Sequence, residues 1–134
     1  MISDDLLRQL IDAAKHASMA AYCPYSKFRV GATMLGGSGK IHAGCNVENA
    51  SYGLTICAER SAVTRAIADG EKQIEAVVVY TPTSTPTAPC GACRQVLNEF
   101  GPAMLVVCAC DGPDVIRMKL SELLPAAFGP QNLA

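Results

Sequence analysis

Apolar residues recur at Leu7, Leu10, Ile11, Ala14 and Ala17, three or four apart, with polar residues between them. That spacing predicts a first helix with one apolar face. Ser3 is placed to cap it, Asp4 and Asp5 fall in its opening turn, and Pro24 is expected to stop it. Phe28 to Leu35 reads as a strand, Gly36-Gly37-Ser38-Gly39 as a tight turn, and Lys40 to Cys45 as the returning arm of a hairpin. The alanine-rich stretch from Cys57 to Asp69 predicts a second helix, with Gly70 placed to end it. Ile74 to Tyr80 is a β-branched run, hence a buried strand, and the Thr/Ser/Pro stretch from Thr81 to Pro89 a loop. Gly91 to Phe100 then reads as a helix closed by Gly101-Pro102 and Met104 to Cys108 as another buried strand. Asp114 to Met118 is a short strand and Leu120 to Leu124 a short helix. Helices alternating with apolar strands imply a layered α/β domain, and the hairpin makes its sheet mixed. No repeat or long linker divides the chain, so residues 1–134 are expected to form one domain.

Composition narrows the function classes. Eleven Lys and Arg against twelve Asp and Glu give a net charge of −1, without a basic stripe for nucleic acid or an anionic membrane. Half the residues are hydrophobic and only 17% charged, which excludes disorder as the main state. Soluble domains average about 25% charged, so the surface is short of charge. Buried contacts between subunits would account for that, as would a well-filled core. The longest apolar run, Ala103 to Cys110, is far below the ~18 residues of a membrane span. The opening segment MISDDLLRQL carries acids where a secretory signal carries bases. With an odd count of seven cysteines, the expectation is reduced thiols in the cytoplasm rather than a disulfide scaffold.

Those thiols raise the question of a metal. Cys90-Gly91-Ala92-Cys93 follows Pro89 at a predicted helix start, where residues three apart share a face and unpaired N–H groups favour thiolate. Alone, C-x-x-C is ambiguous among zinc, a redox dithiol and accident. Cys57-Ala58-Glu59 supplies the other half. If Cys57 joins Cys90 and Cys93, one Zn²⁺ per chain has three protein ligands and an open fourth position, the catalytic pattern. Glu59 is then placed to hold a water and move protons. Cys-x-Glu followed by Pro-Cys-x-x-Cys is the zinc-deaminase signature in its three-cysteine form. Three thiolates and Zn²⁺ sum to −1, a poor Lewis acid unless something withdraws charge from sulfur. Arg60, three residues beyond Cys57, and Arg94, beside Cys93, are candidates to donate to thiolate.

Four ordered segments then resemble the homotetrameric cytidine deaminases: Tyr25-Ser26-x-Phe28-x-Val30-Gly31-Ala32, Gly44-Cys45-Asn46-Val47-Glu48-Asn49-Ala50-Ser51-Tyr52-Gly53, Cys57-Ala58-Glu59-Arg60, and Pro89-Cys90-Gly91-Ala92-Cys93-Arg94-Gln95. The likeness runs from the first helix to Phe128. It implies a three-layer α/β/α fold with a mixed five-stranded sheet. It also implies zinc on Cys57, Cys90 and Cys93, with Glu59 as proton shuttle. Asn46 and Glu48 would bind the ribose 3′-hydroxyl, Phe28 would lie against the pyrimidine, and the Ala58 main chain would contact the base carbonyl. Ala50, Tyr52 and Phe128 would reach a neighbouring subunit's site in a tetramer, and Arg60 would soften the thiolate charge. The implied reaction is deamination of cytidine and 2′-deoxycytidine to uridine and deoxyuridine, a step of pyrimidine salvage, with no nucleic-acid or membrane partner.

Plainer readings stand beside these. Phe28 on a strand can be core, Asn46 and Glu48 can cap a turn, Phe128 can fold back on its own domain, and Cys23 and Cys45 can be small buried hydrophobes. The rivals are a structural zinc site on Cys90, Cys93, Cys108 and Cys110, a thiol redox protein, and a blasticidin-S-type deaminase, whose relatives lack the Asn46/Glu48 pair. Deaminases of guanine, dCMP or tRNA usually place histidine where Cys57 stands, and neither His16 nor His42 is there.

Overall fold

A computed structural model describes residues 2–133. Ser3 begins α1 (Asp4–Ser18), its side chain accepting from the Leu6 N–H at 3.1 Å, as the sequence predicts. The helix ends well before Pro24. There the Ser18 hydroxyl takes the Lys15 carbonyl at 2.6 Å, and Met19, Ala20 and Ala21 each bond three residues back. That tightening unwinds the helix without a proline.

Five strands form one sheet in the order β2-β1-β3-β4-β5. They are β1 (Gly31–Gly36), β2 (Ile41–Cys45), β3 (Ile74–Tyr80), β4 (Leu105–Ala109) and β5 (Ile116–Lys119). Only β3 and β4 pair in parallel; the other neighbours are antiparallel. β1 is shorter than Phe28 to Leu35. The Asn46 side chain takes the place of a neighbouring strand there, donating to the Phe28 carbonyl at 2.8 Å and accepting from the Val30 N–H at 2.9 Å. Phe28 thus leaves the ladder and stays partly exposed.

Side chains alternate across the sheet. Thr33, Leu35, Ala76, Val78 and Val107 face α1, whose Leu10 and Ala14 are fully buried. Ala32, Met34, Val77, Val79, Val106 and Cys108 face the other side, against α2 (Ala58–Ala68), α3 (Gly91–Asn98) and α4 (Leu120–Leu123). Three layers result, the α/β/α arrangement with a mixed five-stranded sheet that the sequence led us to expect. The alanines of α2 let it lie directly on β2. A Cβ on Gly44 would come within 2.5 Å of the Ala62 nitrogen, so only glycine permits that approach.

One row of the sheet sets where most of the candidate site residues emerge. Cys45 pairs with Gly31, Gly31 with Tyr80, and Tyr80 with Ala109. At this single edge β1 begins and β2, β3 and β4 end. The chain before β1, the segment between β2 and α2, and the loop between β3 and α3 therefore all emerge together, as the ligand crevice of an open α/β sheet does.

The opposite end of α2 carries a buried ionic cluster. Gly70, at φ 106°, closes the helix, with its N–H on the Ile67 carbonyl and that of Glu71 on the Ala66 carbonyl. This turn delivers Asp69 and Glu71 to His42 of β2, whose Nδ1 lies 2.8 Å from Asp69 and Nε2 2.7 Å from Glu71. Burial alone would lower the His42 pKa, but the hydrogen bonds to Glu71 and Asp69 outweigh it and raise it above 6.5. Glu71 is lowered to about 2, first by the Ser38 hydroxyl and then by His42. The sign of each contribution follows. His42 stabilises fully below its unfolded pKa of 6.5 and loses that as pH rises through the folded value; Glu71 stabilises above 4.5 and loses that as pH falls toward about 2. The cluster is therefore strongest between about pH 4.5 and 6.5. His42→Gln is expected to lower the melting temperature most in that window, with the deficit shrinking toward pH 9. A deficit independent of pH, measured by thermal denaturation across the range, would show the ring to be neutral.

Candidate active site

Cys57 and Cys90 occupy the N-cap positions of α2 and α3, where serine or aspartate usually accepts from the first turn. Neither sulfur makes such a capping bond. Cys93 lies one turn into α3 and is buried, and the three sulfurs lie within 4.8 Å of one another. No other such group of His, Cys, Asp or Glu occurs among the described residues. Three soft donors that close together suit a tetrahedral thiophilic ion. The positive ends of two helices converge on them and favour thiolate. Without a cation, Cys57 is drawn down to about 5, chiefly by a hydrogen bond from Cys93 and, against burial, by Arg60. Cys93, the donor of that bond, is pushed up by it and by burial.

Arg60 lies beside the thiol triad. Its Nη2 donates to the Thr55 carbonyl at 3.0 Å and lies 3.8 Å from the Cys57 sulfur. Nε of the same side chain is buried without a partner. The expectation for Arg94 needs correcting. Its guanidinium donates to the carbonyls of Pro89 at 2.7 Å and Leu123 at 2.9 Å, bracing α3 against α4 instead of meeting sulfur. Spacing could not reveal this, because the Leu123 carbonyl that holds the guanidinium lies twenty-nine residues along the chain.

Glu59 is only 5% exposed, in the first turn of α2. Burial raises its pKa foremost, and the Cys57 charge adds to that, while its own backbone N–H pulls the other way. A carboxyl held toward neutrality can both give and take a proton.

Around this centre lie the sugar and base candidates. Glu48 sits where the chain has left β2, with Oε1 accepting from the Tyr25 N–H at 3.0 Å and the Ser26 N–H at 3.1 Å. Its other oxygen accepts a short bond from the Ser26 hydroxyl. These contacts lower its pKa, the Ser26 hydroxyl most. The Asn46 amide, braced on Phe28 and Val30, retains one N–H and one lone pair for a ligand. Mutual hydrogen bonds between Val47 and Ile56, both 2.9 Å, close the excursion that carries Glu48, Ala50 and Tyr52. Ala58 opens α2, where the first N–H groups lack helical partners. Tyr52 is 74% exposed, its ring 5.8 Å from that of Tyr25. Phe128 is 59% exposed, its carbonyl held by Gln95 and Asn98. Tyr25 and Ser26, quoted in the motif, had no role assigned from sequence; only the fold brings their N–H groups to Glu48.

The rival site loses its geometry. Cys110 lies beyond the end of β4, its sulfur facing the Gly112 and Asp114 carbonyls, while Cys108 is buried in the core with its thiol pushed up to about 12 by burial.

Sheet topology, a thiol triad on two helix starts and an adjacent buried carboxyl define a metal-dependent hydrolytic centre of the deaminase class. Comparison with known proteins agrees. Residues 4–109 match the family described as the cytidine and deoxycytidylate deaminase zinc-binding region. A probable cytidine deaminase of Dictyostelium discoideum is 44% identical, aligned over 98% of this chain and 90% of its own length. The cytidine deaminase of Sporosarcina psychrophila is 43% identical over 96% and 95%. The crystal structure of cytidine deaminase from Burkholderia pseudomallei superposes with a TM-score of 0.88 at 47% identity, covering 95% of this chain and all of that one. That from Mycobacterium tuberculosis gives 0.81 at 40% identity, over 96% and 99%. The chain belongs to the cytidine and deoxycytidylate deaminase family.

Proposed function

We propose that this protein hydrolyses cytidine and 2′-deoxycytidine to uridine and deoxyuridine, releasing ammonia. The observation that carries the reading is the convergence of three sulfurs within 4.8 Å, beside buried Glu59, at the sheet edge that also presents Asn46 and Glu48. Cys57, Cys90 and Cys93 would hold one zinc ion, which when bound would supply the Lewis acidity that makes water nucleophilic near neutral pH. Glu59 would take a proton from the attacking water and give it to N3 of cytosine as the C4–O bond forms, then move the remaining hydroxyl proton to the amine as the C4–N bond breaks and ammonia leaves. Arg60 withdraws negative charge from Cys57, which keeps a three-thiolate centre electrophilic. Phe28 lies against the base, the Ala58 N–H meets its carbonyl oxygen, and Asn46 and Glu48 take the 3′-hydroxyl. An ionised Glu48 accepts only, so it favours a hydroxyl and repels a phosphate, which selects nucleosides over nucleotides.

The functional assembly is a homotetramer, with Ala50, Tyr52 and Phe128 completing a neighbour's site. In support, Tyr22, Tyr52, Leu54, Ile56 and Phe128 are large apolar residues left exposed. The odd count of seven cysteines supports a cytoplasmic location, and no helix among the described residues is long and apolar enough to cross a membrane. The test is the absorbance change of zinc-analysed protein with cytidine, deoxycytidine, CMP and blasticidin S. Stoichiometric uridine and ammonia, one zinc per chain and little action on CMP are expected. Full zinc occupancy with no pyrimidine turned over would end the reading.

A further inference from the structure

Residue 26 grips Glu48 with two donors at once. Its N–H reaches Oε1 at 3.1 Å and its hydroxyl reaches Oε2. The same hydroxyl oxygen accepts from the Phe28 N–H at 3.0 Å. Donor roles are unambiguous, since a main-chain N–H can only donate and an ionised carboxylate can only accept. The Ser26 proton therefore points at Glu48 and its lone pair at Phe28. Lys27 between them adopts φ 61°, a left-handed conformation uncommon outside glycine, and this folds the chain back so that one hydroxyl serves both neighbours. A second N–H, from Tyr25, completes the hold on Oε1. With both sites of Oε1 filled and one of Oε2, the carboxylate keeps a single open acceptor direction.

We propose that Ser26 is a positioning residue that aims this remaining lone pair of Glu48 at the 3′-hydroxyl of the sugar. The proposal rests on the assignment of Glu48 and Phe28 above and deepens it into a specificity device. Glu48 emerges from the end of β2 and Phe28 from the chain before β1; Asn46 and the Tyr22 main chain join these segments, while the Ser26 hydroxyl bonds the Glu48 carboxylate itself. Ser26 is exposed, so removing its hydroxyl opens no cavity in the core.

Deoxycytidine and 2′,3′-dideoxycytidine differ only in the 3′-hydroxyl, and they separate a positioning effect from general damage. Ser26→Ala in the zinc-loaded protein is expected to lower kcat/KM for deoxycytidine about 10- to 30-fold, in the range of a lost charge-assisted hydrogen bond. For dideoxycytidine the change should be under about threefold, with the melting temperature within about 3 °C of the parent. Ser26→Thr, which keeps the hydroxyl, should restore most of the loss. Calorimetric affinity for deoxyuridine against dideoxyuridine should follow the same pattern without turnover. Equal losses on both nucleosides, no loss on deoxycytidine, or a Thr variant no better than Ala would overturn the proposal. If the parent protein itself treats the two nucleosides alike, the Glu48 assignment falls, and that result is distinct because it involves no Ser26 variant.

Discussion

Glu59→Ala is expected to lower kcat by about 10⁴-fold while the protein still carries one zinc per chain. Positioned proton transfer is worth about 10²–10⁴-fold, and the upper end applies because one carboxyl serves both the attack and the departure of the amine. Zinc stays because Glu59 is not among the clustered sulfurs. Stability should not suffer. A carboxyl that is 5% exposed, with its pKa raised by burial, is held at a cost, so the variant's melting temperature should equal or exceed the parent's. Steady-state kinetics, metal analysis and thermal denaturation of one preparation check all three. Activity within about tenfold of the parent would remove Glu59 from the chemistry.

Cys57→Ala should abolish both zinc binding and turnover, whereas Cys110→Ser should retain both. Cys57 caps α2, Cys90 caps α3 and Cys93 lies in its first turn, so a bound ion would staple two helices that packing and a few side-chain bonds, such as that of Arg94 to the Leu123 carbonyl, otherwise hold. Losing one of three thiolates leaves two, and the melting temperature should fall along with metal content, because metal binding is coupled to folding. Chelation of the parent should reproduce that fall. Cys110 makes sulfur contacts to two nearby carbonyls and lies outside the cluster. Zinc retained by Cys57→Ala and lost by Cys110→Ser would reverse the assignment and favour a structural metal site.

Much of this was legible before any coordinates. Period and punctuation located α2, β3 and the start of α1 almost to the residue, because each rests on local signals: an alanine face, a β-branched run, a capping serine. The clustering of the three thiols was legible because two of them sit three apart and the third stands beside an acid at a helix start. Arg60 was singled out on charge balance, and its guanidinium lies 3.8 Å from the Cys57 sulfur. The misreadings share a cause. α1 stopped early, β1 started late and Arg94 turned away, each because a partner far along the chain or a competing side-chain bond took over. Asn46 is sixteen residues from Val30 and Leu123 is twenty-nine from Arg94. Nothing in a local window encodes those distances.

The sequence by itself singled out the candidates for the chemistry, three cysteines at Cys57, Cys90 and Cys93 and one acid at Glu59, and made the layers helices on a mixed sheet. These follow from residue type and short-range spacing, which act over a turn of helix or two residues of strand. Only the tertiary structure decided who holds whom. The pairing of Cys45, Gly31, Tyr80 and Ala109 brings four chain segments to one edge, and the Ser26 hydroxyl reaches Glu48 there across twenty-two residues of sequence. A hydrogen bond needs its partners placed to a fraction of an ångström. For groups so far apart along the chain, packing of the whole sheet and its helices supplies that placement.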